Sequence, residues 1–294
     1  MMARALALNN AEKVYIIGRR KEVLEQAAKS VDTDNIIPIV CDVTSREALA
    51  AAVARVTEET GYINLFIANS GIGGPQAKLA QPLPAGSALK DFIKSYGDYD
   101  ASENAKTFEL NVTAVWFSIM NFLPLLDKGN ERGNVGQRSQ VLTTSSIAGF
   151  NRMAPGGFVY GQSKAATTHL MKQLASNLAP YKIRCNVIAP GREYPLHTFP
   201  LCVPQYAPNL LSTSFFDSTV RTSDNLCIVF PSEMAAPIIG DGVFPIEKIP
   251  LQRPGTEEEM AGATLFLASQ AGGYCNGCVL LIDGGRLSMM PSTY

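Results

Sequence analysis

The sequence has little net charge and no long uninterrupted apolar run. Its 25 Lys and Arg residues are balanced by 26 Asp and Glu residues, which gives a net charge of −1 over 294 residues. Such a chain has no electrostatic basis for binding nucleic acid or an anionic membrane. No apolar run appears long enough to span a bilayer, so we expect no membrane segment. The first residues lack the basic-then-apolar pattern of a secretory signal, which predicts a cytoplasmic protein.

Metal-binding patterns are also scarce in the sequence. The six cysteines are scattered, and in the cytosol they are expected to stay reduced. Cys275 and Cys278 form a C-x-x-C pair, but no second Cys or His pair stands near it in the sequence. Because two ligands do not complete a zinc site, we assign this pair to packing and predict no metal.

The sequence does contain a regular alternation of β-rich apolar runs and helical patterns. Its length suffices for one large α/β domain, so residues 1–294 are predicted to form a single domain. Strands are predicted at residues 13–17, 36–41, 63–68, 139–144, 183–188 and 278–282, and helices at 21–30, 45–60, 105–126, 159–178 and 256–269. Strands that are apolar on both faces and alternate with helices indicate a parallel sheet covered by helices. Such sheets bind ligands at the carboxyl ends of their strands.

Small polar motifs follow several of these predicted strands. Residues 69–71 read Asn-Ser-Gly, residues 145–149 read Ser-Ser-Ile-Ala-Gly, and Pro190 and Gly191 follow the strand at 183–188. The helix after the second motif opens with Tyr-Gly-Gln-Ser-Lys at 160–164. Each motif is a weak signal alone, but their order and their placement at strand ends together predict a cofactor site.

Tyr160 and Lys164 are four residues apart, so they share one face of a helix. A tyrosine has a pKa near about 10 and is a poor acid or base at neutral pH. A nearby lysine ammonium favours the phenolate, so we expect Lys164 to lower the pKa of Tyr160. Tyr160 could then exchange a proton with an alcohol or carbonyl oxygen, which Ser146 could also hold. Asn111 could hold a water that carries protons away from Lys164.

With these motifs the chain resembles the short-chain dehydrogenase/reductase family. The resemblance also includes Cys-Asp-Val at 41–43, Asn-Val-Ile-Ala-Pro-Gly at 186–191, Gln-Arg-Pro-Gly at 252–255 and Ile-Asp-Gly-Gly at 282–285. It implies a Rossmann-type doubly wound parallel sheet flanked by helices, a nicotinamide cofactor, and reversible hydride transfer between carbonyl and alcohol. In that family pattern Tyr160 is the acid/base, Lys164 modulates its pKa, Ser146 holds the substrate oxygen and Asn111 belongs to the proton relay. Ser145 is the competing serine.

The resemblance also implies the cofactor-binding residues. Asp42 would accept a hydrogen bond from the adenine amino group beside Val43, and Asn69 and Gly71 would line the adenosine ribose. Tyr160, Lys164, Pro190 and Gly191 complete the set, with Lys164 contacting the other ribose. Arg19 follows the first predicted strand where no acidic residue stands, which favours NADP(H) over NAD(H).

The chain departs from the family pattern at its start. The family begins with a strand, a glycine-rich turn and a helix, and the turn holds the cofactor pyrophosphate. Here Met1 falls inside that helix, so the first strand of the sheet is expected to be missing and the chain to be N-terminally truncated. Its place between two neighbours would be left open, with unpaired backbone groups on both sides. We therefore expect lower stability and weaker cofactor binding.

A second departure lies at residues 193–229. This stretch is rich in proline, Ser/Thr and aromatic residues, lacks glycine and lysine, and shows no helical or strand period. It is predicted to be either an extraneous insertion outside the sheet, from translated non-coding sequence, or an enlarged substrate lid. With the insertion removed, Ser232 falls where the family contacts the nicotinamide carboxamide.

The function predicted from these residues is NADP(H)-dependent reduction of a ketone, or oxidation of a secondary alcohol, on a hydrophobic small molecule. Apolar residues near the motifs, Phe150, Met153 and Phe158, favour such a substrate, and a 3-oxoacyl thioester or a secondary-metabolite ketone would fit. The alternative is a catalytically impaired relative that acts as a binding or regulatory subunit. The resemblance further implies a homodimer or homotetramer assembled through the helices at 105–126 and 159–178.

Overall fold

A single parallel sheet with helices on both faces forms the core of the protein. The computed structural model describes residues 1–75, 83, 86–154, 157–191, 226–229 (backbone only) and 246–294. The strands are β1 (Lys13–Gly18), β2 (Ile36–Val40), β3 (Leu65–Ala68), β4 (Gln140–Thr144), β5 (Arg184–Pro190), β6 (Leu226–Val229) and β7 (Val279–Ile282). Their order across the sheet is β2-β1-β6-β3-β4-β5-β7, and the pairs are parallel.

Helices alternate with the strands along the chain. They are α1 (Met2–Leu8), α2 (Lys21–Ala28), α3 (Arg46–Glu59), α4 (Leu89–Tyr96), α5 (Ala101–Phe108), α6 (Ala114–Arg132), α7 (Phe158–Asn177) and α8 (Glu257–Ala268). A π-helical turn, Glu109–Thr113, joins α5 to α6. The expected strand–helix alternation is present, and the fold is of the Rossmann type predicted from the sequence.

Strand β1 is buried on both faces, and successive side chains along it point to opposite sides of the sheet. In β1, Tyr15 and Ile17 pack into the core beneath α3 and α6, whereas Val14 and Ile16 pack into the core beneath α1 and α8. Helices must therefore cover both faces, and the sheet ends remain as the place for a ligand.

The helical segment Ala101–Arg132 is long and apolar enough to cross a membrane by length and composition. This differs from the expectation that the chain holds no such segment. In the fold it packs on the sheet: the ring of Phe122 is fully buried and stacks on Phe66 of β3 with 5.1 Å between the ring centroids. Burial against a parallel sheet accounts for its apolar composition.

The expected gap in the sheet is filled by β6. Its four residues lie between β1 and β3, and Ile228 pairs with Tyr15 on one side and Phe66 on the other. The prediction that this position stays open with unpaired neighbours is therefore wrong, and the prediction that residues 193–229 lie outside the sheet is wrong for 226–229. A sheet centre stripped of a strand leaves two rows of backbone groups unpaired, so pairing with another apolar stretch is strongly favoured. Residues 192–225 and 230–245, including Ser232, lie outside the described residues.

The position of β6 predicts a large loss of stability when its backbone is interrupted. Proline has no amide hydrogen and is not tolerated within a central strand, so Ile228→Pro should lower the free energy of unfolding by about 3 kcal/mol or more. The measurement is urea unfolding followed by circular dichroism, with Ile228→Val as the control that keeps the amide. A wild-type unfolding midpoint for Ile228→Pro would show that 226–229 do not complete the sheet.

Candidate active site

Two tight approaches of backbone bring the predicted catalytic residues together. A 3₁₀ turn, Ile147–Gly149, follows β4 and lies against the first turns of α7. A Cβ atom on Gly149 would lie 2.8 Å from the amide nitrogen of Ala165, and one on Gly161 would lie 2.8 Å from the carbonyl oxygen of Ala148. Only glycine fits at both positions, so the small residues of the two motifs set the distance between strand end and helix.

The start of α7 depends on another glycine. Gly157 precedes the first residue of the helix with φ of 116°, a backbone conformation that residues with a side chain rarely adopt. The helix then carries Tyr160 and Lys164 on one face, as the four-residue spacing predicts. The two side chains converge, with the Lys164 Nζ atom 5.8 Å from the centroid of the Tyr160 ring.

Lys164 is deeply buried, and its ammonium donates a hydrogen bond to the carbonyl oxygen of Thr144 at 2.9 Å. Burial lowers the pKa of Lys164 from 10.5 to about 8. The backbone at the end of β4 therefore positions this lysine, and loss of solvent lowers its pKa.

The pKa of Tyr160 differs from the prediction. Burial raises the pKa of its phenol, and a hydrogen bond with the Ser146 side chain acts in the opposite direction. The pKa of Tyr160 is therefore raised, where the proximity of Lys164 predicted a lowered one. The physical reason is that the phenol is desolvated while the lysine ammonium is directed to Thr144. At neutral pH Tyr160 is thus a protonated phenol.

The two serines after β4 have different surroundings. The Ser146 hydroxyl accepts a hydrogen bond from the Ala148 amide at 3.1 Å and also meets Tyr160. Ser145 is buried, donates to the Lys164 carbonyl oxygen at 3.0 Å and lies 2.6 Å from the Thr168 hydroxyl. Ser146 is therefore the serine beside the phenol, whereas Ser145 joins β4 to α7.

Asn111 lies in the π-helical turn and is fully buried. Its carboxamide donates to the carbonyl oxygen of Ile72 at 2.9 Å and accepts from the amide of Ile72 at 2.8 Å. The second amide hydrogen goes to the Ser163 hydroxyl at 2.9 Å. The side chain thus has protein partners on both its oxygen and its nitrogen and clamps the backbone of Ile72, while its role in holding a water stays a prediction.

A cavity of about 470 Å³ opens at the carboxyl ends of β1 and β3. Three lining side chains are cations and two are carboxylates; the lining includes residues 17–20, 41–44, 70–73, Lys106, Glu109 and Leu110. Asp42 accepts hydrogen bonds from the Thr44 amide and hydroxyl at 3.0 and 2.7 Å, and these bonds, aided by the charge of Arg19, lower its pKa. A carboxylate held as an acceptor and three cations in the lining fit the adenosine end of a nicotinamide nucleotide.

The structure brings only part of the predicted cofactor set to this cavity. Arg19, Asp42, Val43 and Gly71 line it, whereas the half-buried Asn69 is not among the lining residues. Pro190 and Gly191 lie at the end of β5, where a Cβ on Gly191 would be 2.6 Å from the Cβ of Asp283. Packing against Asp283 thus requires glycine at this position, whether or not Gly191 also contacts a cofactor.

Sequence reasoning missed Lys106 and Glu109 as cavity residues. Both stand on the helical segment after α4, and the sequence offers no periodic signal that turns them toward β1. It also missed Ser163 and Thr167, whose hydroxyls hold Asn111, because buried Ser and Thr on a helix usually read as ordinary helix residues.

The buried lysine predicts how stability depends on pH. The unfolded chain binds this proton more tightly than the folded protein, so stability rises as pH increases from about 8 to 10.5. A pKa lowered by this amount corresponds to about 3 kcal/mol. Lys164→Met should remove that rise in urea unfolding measured across this range, whereas Lys172→Met, an exposed lysine on the same helix, should keep it. A rise of wild-type size in Lys164→Met would assign it to another group.

Comparison with known proteins points to one family. The family model for short chain dehydrogenases matches residues 1–193, and a second model, described as enoyl-(acyl carrier protein) reductase, matches residues 244–286. The chain is 42% identical over 301 residues to the short-chain dehydrogenase/reductase PhomF' of Diaporthe leptostromiformis, covering 100% of this chain and 89% of that protein.

Solved structures show the same fold. The Pseudomonas aeruginosa RhlG/NADP active-site complex matches with a TM-score of 0.66 and 25% identity, covering 97% of this chain and 91% of that one. A 3-ketoacyl-(acyl-carrier-protein) reductase from Brucella melitensis complexed with NADH matches with a TM-score of 0.64 and 19% identity, covering 94% and 99%. The chain belongs to the short-chain dehydrogenase/reductase family of oxidoreductases.

Proposed function

We propose that the protein is an NADP(H)-dependent oxidoreductase that reduces a ketone, or oxidises a secondary alcohol, on a hydrophobic small molecule. The observation that carries the proposal is the meeting of Ser146, Tyr160 and Lys164 at the same carboxyl edge of the sheet that carries a cavity with nucleotide-binding chemistry. Family membership supplies the reaction class, and the site supplies the residues.

In the reduction direction, the Tyr160 phenol donates a proton to the substrate carbonyl oxygen. Its raised pKa keeps it protonated at neutral pH, which suits a general acid. The Ser146 hydroxyl stands beside the phenol and can hydrogen-bond the same oxygen, so that the carbonyl is held between them. A bound nicotinamide cofactor supplies the hydride.

Lys164 acts through charge in this proposal. Its ammonium lies next to the phenol and stabilises the phenolate that remains after proton transfer. With a pKa of about 8 it can also lose a proton near neutrality, which permits it to reprotonate Tyr160. The carbonyl of Thr144 keeps it in place during that exchange.

The preference for NADP(H) rests on the charges at the end of β1. Arg19 and Arg20 follow this strand and line the cavity together with Lys106, so a 2′-phosphate would meet positive charge. The relatives with known structure include both an NADP and an NADH complex. The choice of cofactor is therefore drawn from this chain's own residues.

The hydrophobic substrate is proposed from an aromatic cluster next to the start of α7. Tyr96 packs edge-on against Phe158 and Tyr99 and tilted against Phe92, with ring centroids 4.9 to 6.2 Å apart. Phe92 and Phe158 remain 44% and 40% exposed, and Met153 is also exposed. Phe150, by contrast, is a buried core residue that packs against Tyr294, so its predicted place near the substrate is not supported. A 3-oxoacyl group or another apolar ketone fits such a surface.

We also propose a homodimer or homotetramer that packs through α6 and α7. The apolar helix α6 exposes the ring of Trp116, which is 40% accessible. Burial of this face in a second copy would remove apolar surface from water. Light scattering that gives a monomer mass for the folded protein would rule this out.

The role of Tyr160 is tested by removing one oxygen atom. Tyr160→Phe should lower turnover of a ketone with NADPH by about 10²- to 10⁴-fold, because a general acid of this kind contributes that much. NADPH affinity should stay near wild type. The measurement is steady-state NADPH oxidation over a panel of apolar ketones, with Tyr181→Phe, an exposed tyrosine, as the control.

Two outcomes would contradict this assignment. Near-normal turnover in Tyr160→Phe would remove Tyr160 from the mechanism. A wild-type protein that binds NADPH but turns over no ketone or alcohol would favour the alternative, a catalytically impaired binding subunit.

The cofactor assignment is tested at Arg19. A charge-assisted hydrogen bond contributes about 1.5–3 kcal/mol, so Arg19→Ala should weaken NADPH binding about ten- to a hundredfold. NADH binding should change little, because NADH lacks the phosphate. Fluorescence titration of both cofactors gives the two affinities, and Lys21→Ala, a neighbour outside the cavity lining, is the matched control. Equal losses of affinity for NADPH and NADH would show that Arg19 does not bind the 2′-phosphate.

A further inference from the structure

Two successive threonines in the middle of α7 are buried, although helix interiors seldom favour this residue. Thr167 and Thr168 each lie within hydrogen-bond distance of the carbonyl oxygen four residues earlier, at 2.9 Å in both cases. Such local bonds satisfy a buried hydroxyl but do not explain why two stand side by side. The difference between them lies in the second partner of each.

The two hydroxyls reach different elements of the fold. Thr168 lies 2.6 Å from the hydroxyl of Ser145 and so ties α7 to β4. Thr167 donates to the carbonyl oxygen of Asn111 at 2.7 Å, shorter than its bond within the helix. Thr167 therefore ties α7 to the π-helical turn that carries Asn111.

That turn is a weak point in an otherwise regular helix. Its hydrogen bonds span five residues, as in the bond from the Ala114 amide to the Glu109 carbonyl oxygen. Widened turns of this kind are less favourable than α-helix and persist where other groups hold them. The Thr167 hydroxyl is one such group, and it contacts the turn at the residue with the functional side chain.

Asn111 is the meeting point of three elements. Its carboxamide binds the backbone of Ile72, which lines the proposed cofactor cavity, in both directions. The same carboxamide donates to the Ser163 hydroxyl, which in turn donates to the carbonyl oxygen of Tyr160 at 2.8 Å. A shift of Asn111 would thus move the 70–73 loop and loosen the turn that presents Tyr160.

We propose that Thr167 is a positioning residue of the active site: its hydroxyl fixes Asn111, and through it the 70–73 loop and the turn that carries Tyr160. The inference rests on the proposed function, since that function gives the loop and Tyr160 their roles. Ser163 holds Asn111 from the side-chain end, and Thr167 holds it from the backbone end.

The test compares two neighbouring threonines whose hydroxyls contact different partners, Asn111 for Thr167 and Ser145 for Thr168. Thr167→Val keeps the branched shape and removes the hydroxyl; Thr168→Val makes the same change one residue later. Thr167→Val should accelerate hydrogen exchange of the Ile72 amide by about three- to tenfold, the effect of losing one ordinary hydrogen bond. NADPH binding should weaken by a similar factor. Thr168→Val should lower the melting temperature comparably without either effect, and Thr167→Ser should restore both values to wild type.

Residue-resolved exchange by mass spectrometry makes the result independent of catalysis. The proposal is overturned if Thr167→Val leaves Ile72 exchange and NADPH affinity at the values of Thr168→Val. Should Thr167→Val not fold, Ser163→Ala decides by the same criterion, because it removes the other hold on Asn111: wild-type Ile72 exchange there would overturn the link.

The two proposals fail in different ways. A wild-type protein that binds neither NADPH nor NADH would remove the proposed function, while Ile72 exchange that still responds to Thr167 would leave its hold on the loop intact. A wild-type protein that binds NADPH, with an affinity insensitive to Thr167, would keep the function and remove the positioning role.

Discussion

The site depends on the contact between the 3₁₀ turn after β4 and the first turns of α7. Gly149 and Gly161 allow the two backbones to touch, so Ser146 on one side meets Tyr160 on the other. Because the two elements pack so closely, Lys164 is buried away from water, and its ammonium donates to the Thr144 carbonyl oxygen. The geometry of the serine, the burial of the phenol and the lowered pKa of the lysine all follow from one close backbone approach.

A second layer of polar contacts holds this arrangement from behind. The buried hydroxyls of Ser163, Thr167 and Thr168 join α7 to its neighbours, and Asn111 carries the connection to the loop after β3. Buried polar groups that are fully partnered make a packing arrangement specific, because any alternative leaves some of them unpaired. Burying such groups costs desolvation free energy, so we expect them where the position of a residue matters for function. Here they surround the two residues proposed to exchange protons.

Much of the fold could be predicted from the sequence. All six predicted strands and all five predicted helices are present with shifted ends, since apolar runs buried on both faces are a strong signal. Helix α4 was missed because it is short, and its apolar residues Phe92 and Ile93 remain exposed. The grouping of Ser146 with Tyr160 followed from motif order. The pKa of Tyr160 could not be predicted, because it depends on how deeply the phenol is buried and where the lysine ammonium points. The filling of the sheet by β6 could not be predicted either. Its short apolar run shows no period, and it forms a strand because the position between β1 and β3 is open.

The place of β6 has a kinetic consequence. The strand pairs Leu226 with Lys13, so the centre of the sheet joins segments from distant parts of the chain. Contacts of such high sequence separation are formed late, because the entropy of closing the loop must be met before pairing is rewarded. During synthesis, β1 and β3 must therefore wait with exposed edges until most of the chain has left the ribosome. Unpaired strand edges of this kind favour aggregation until the central strand arrives.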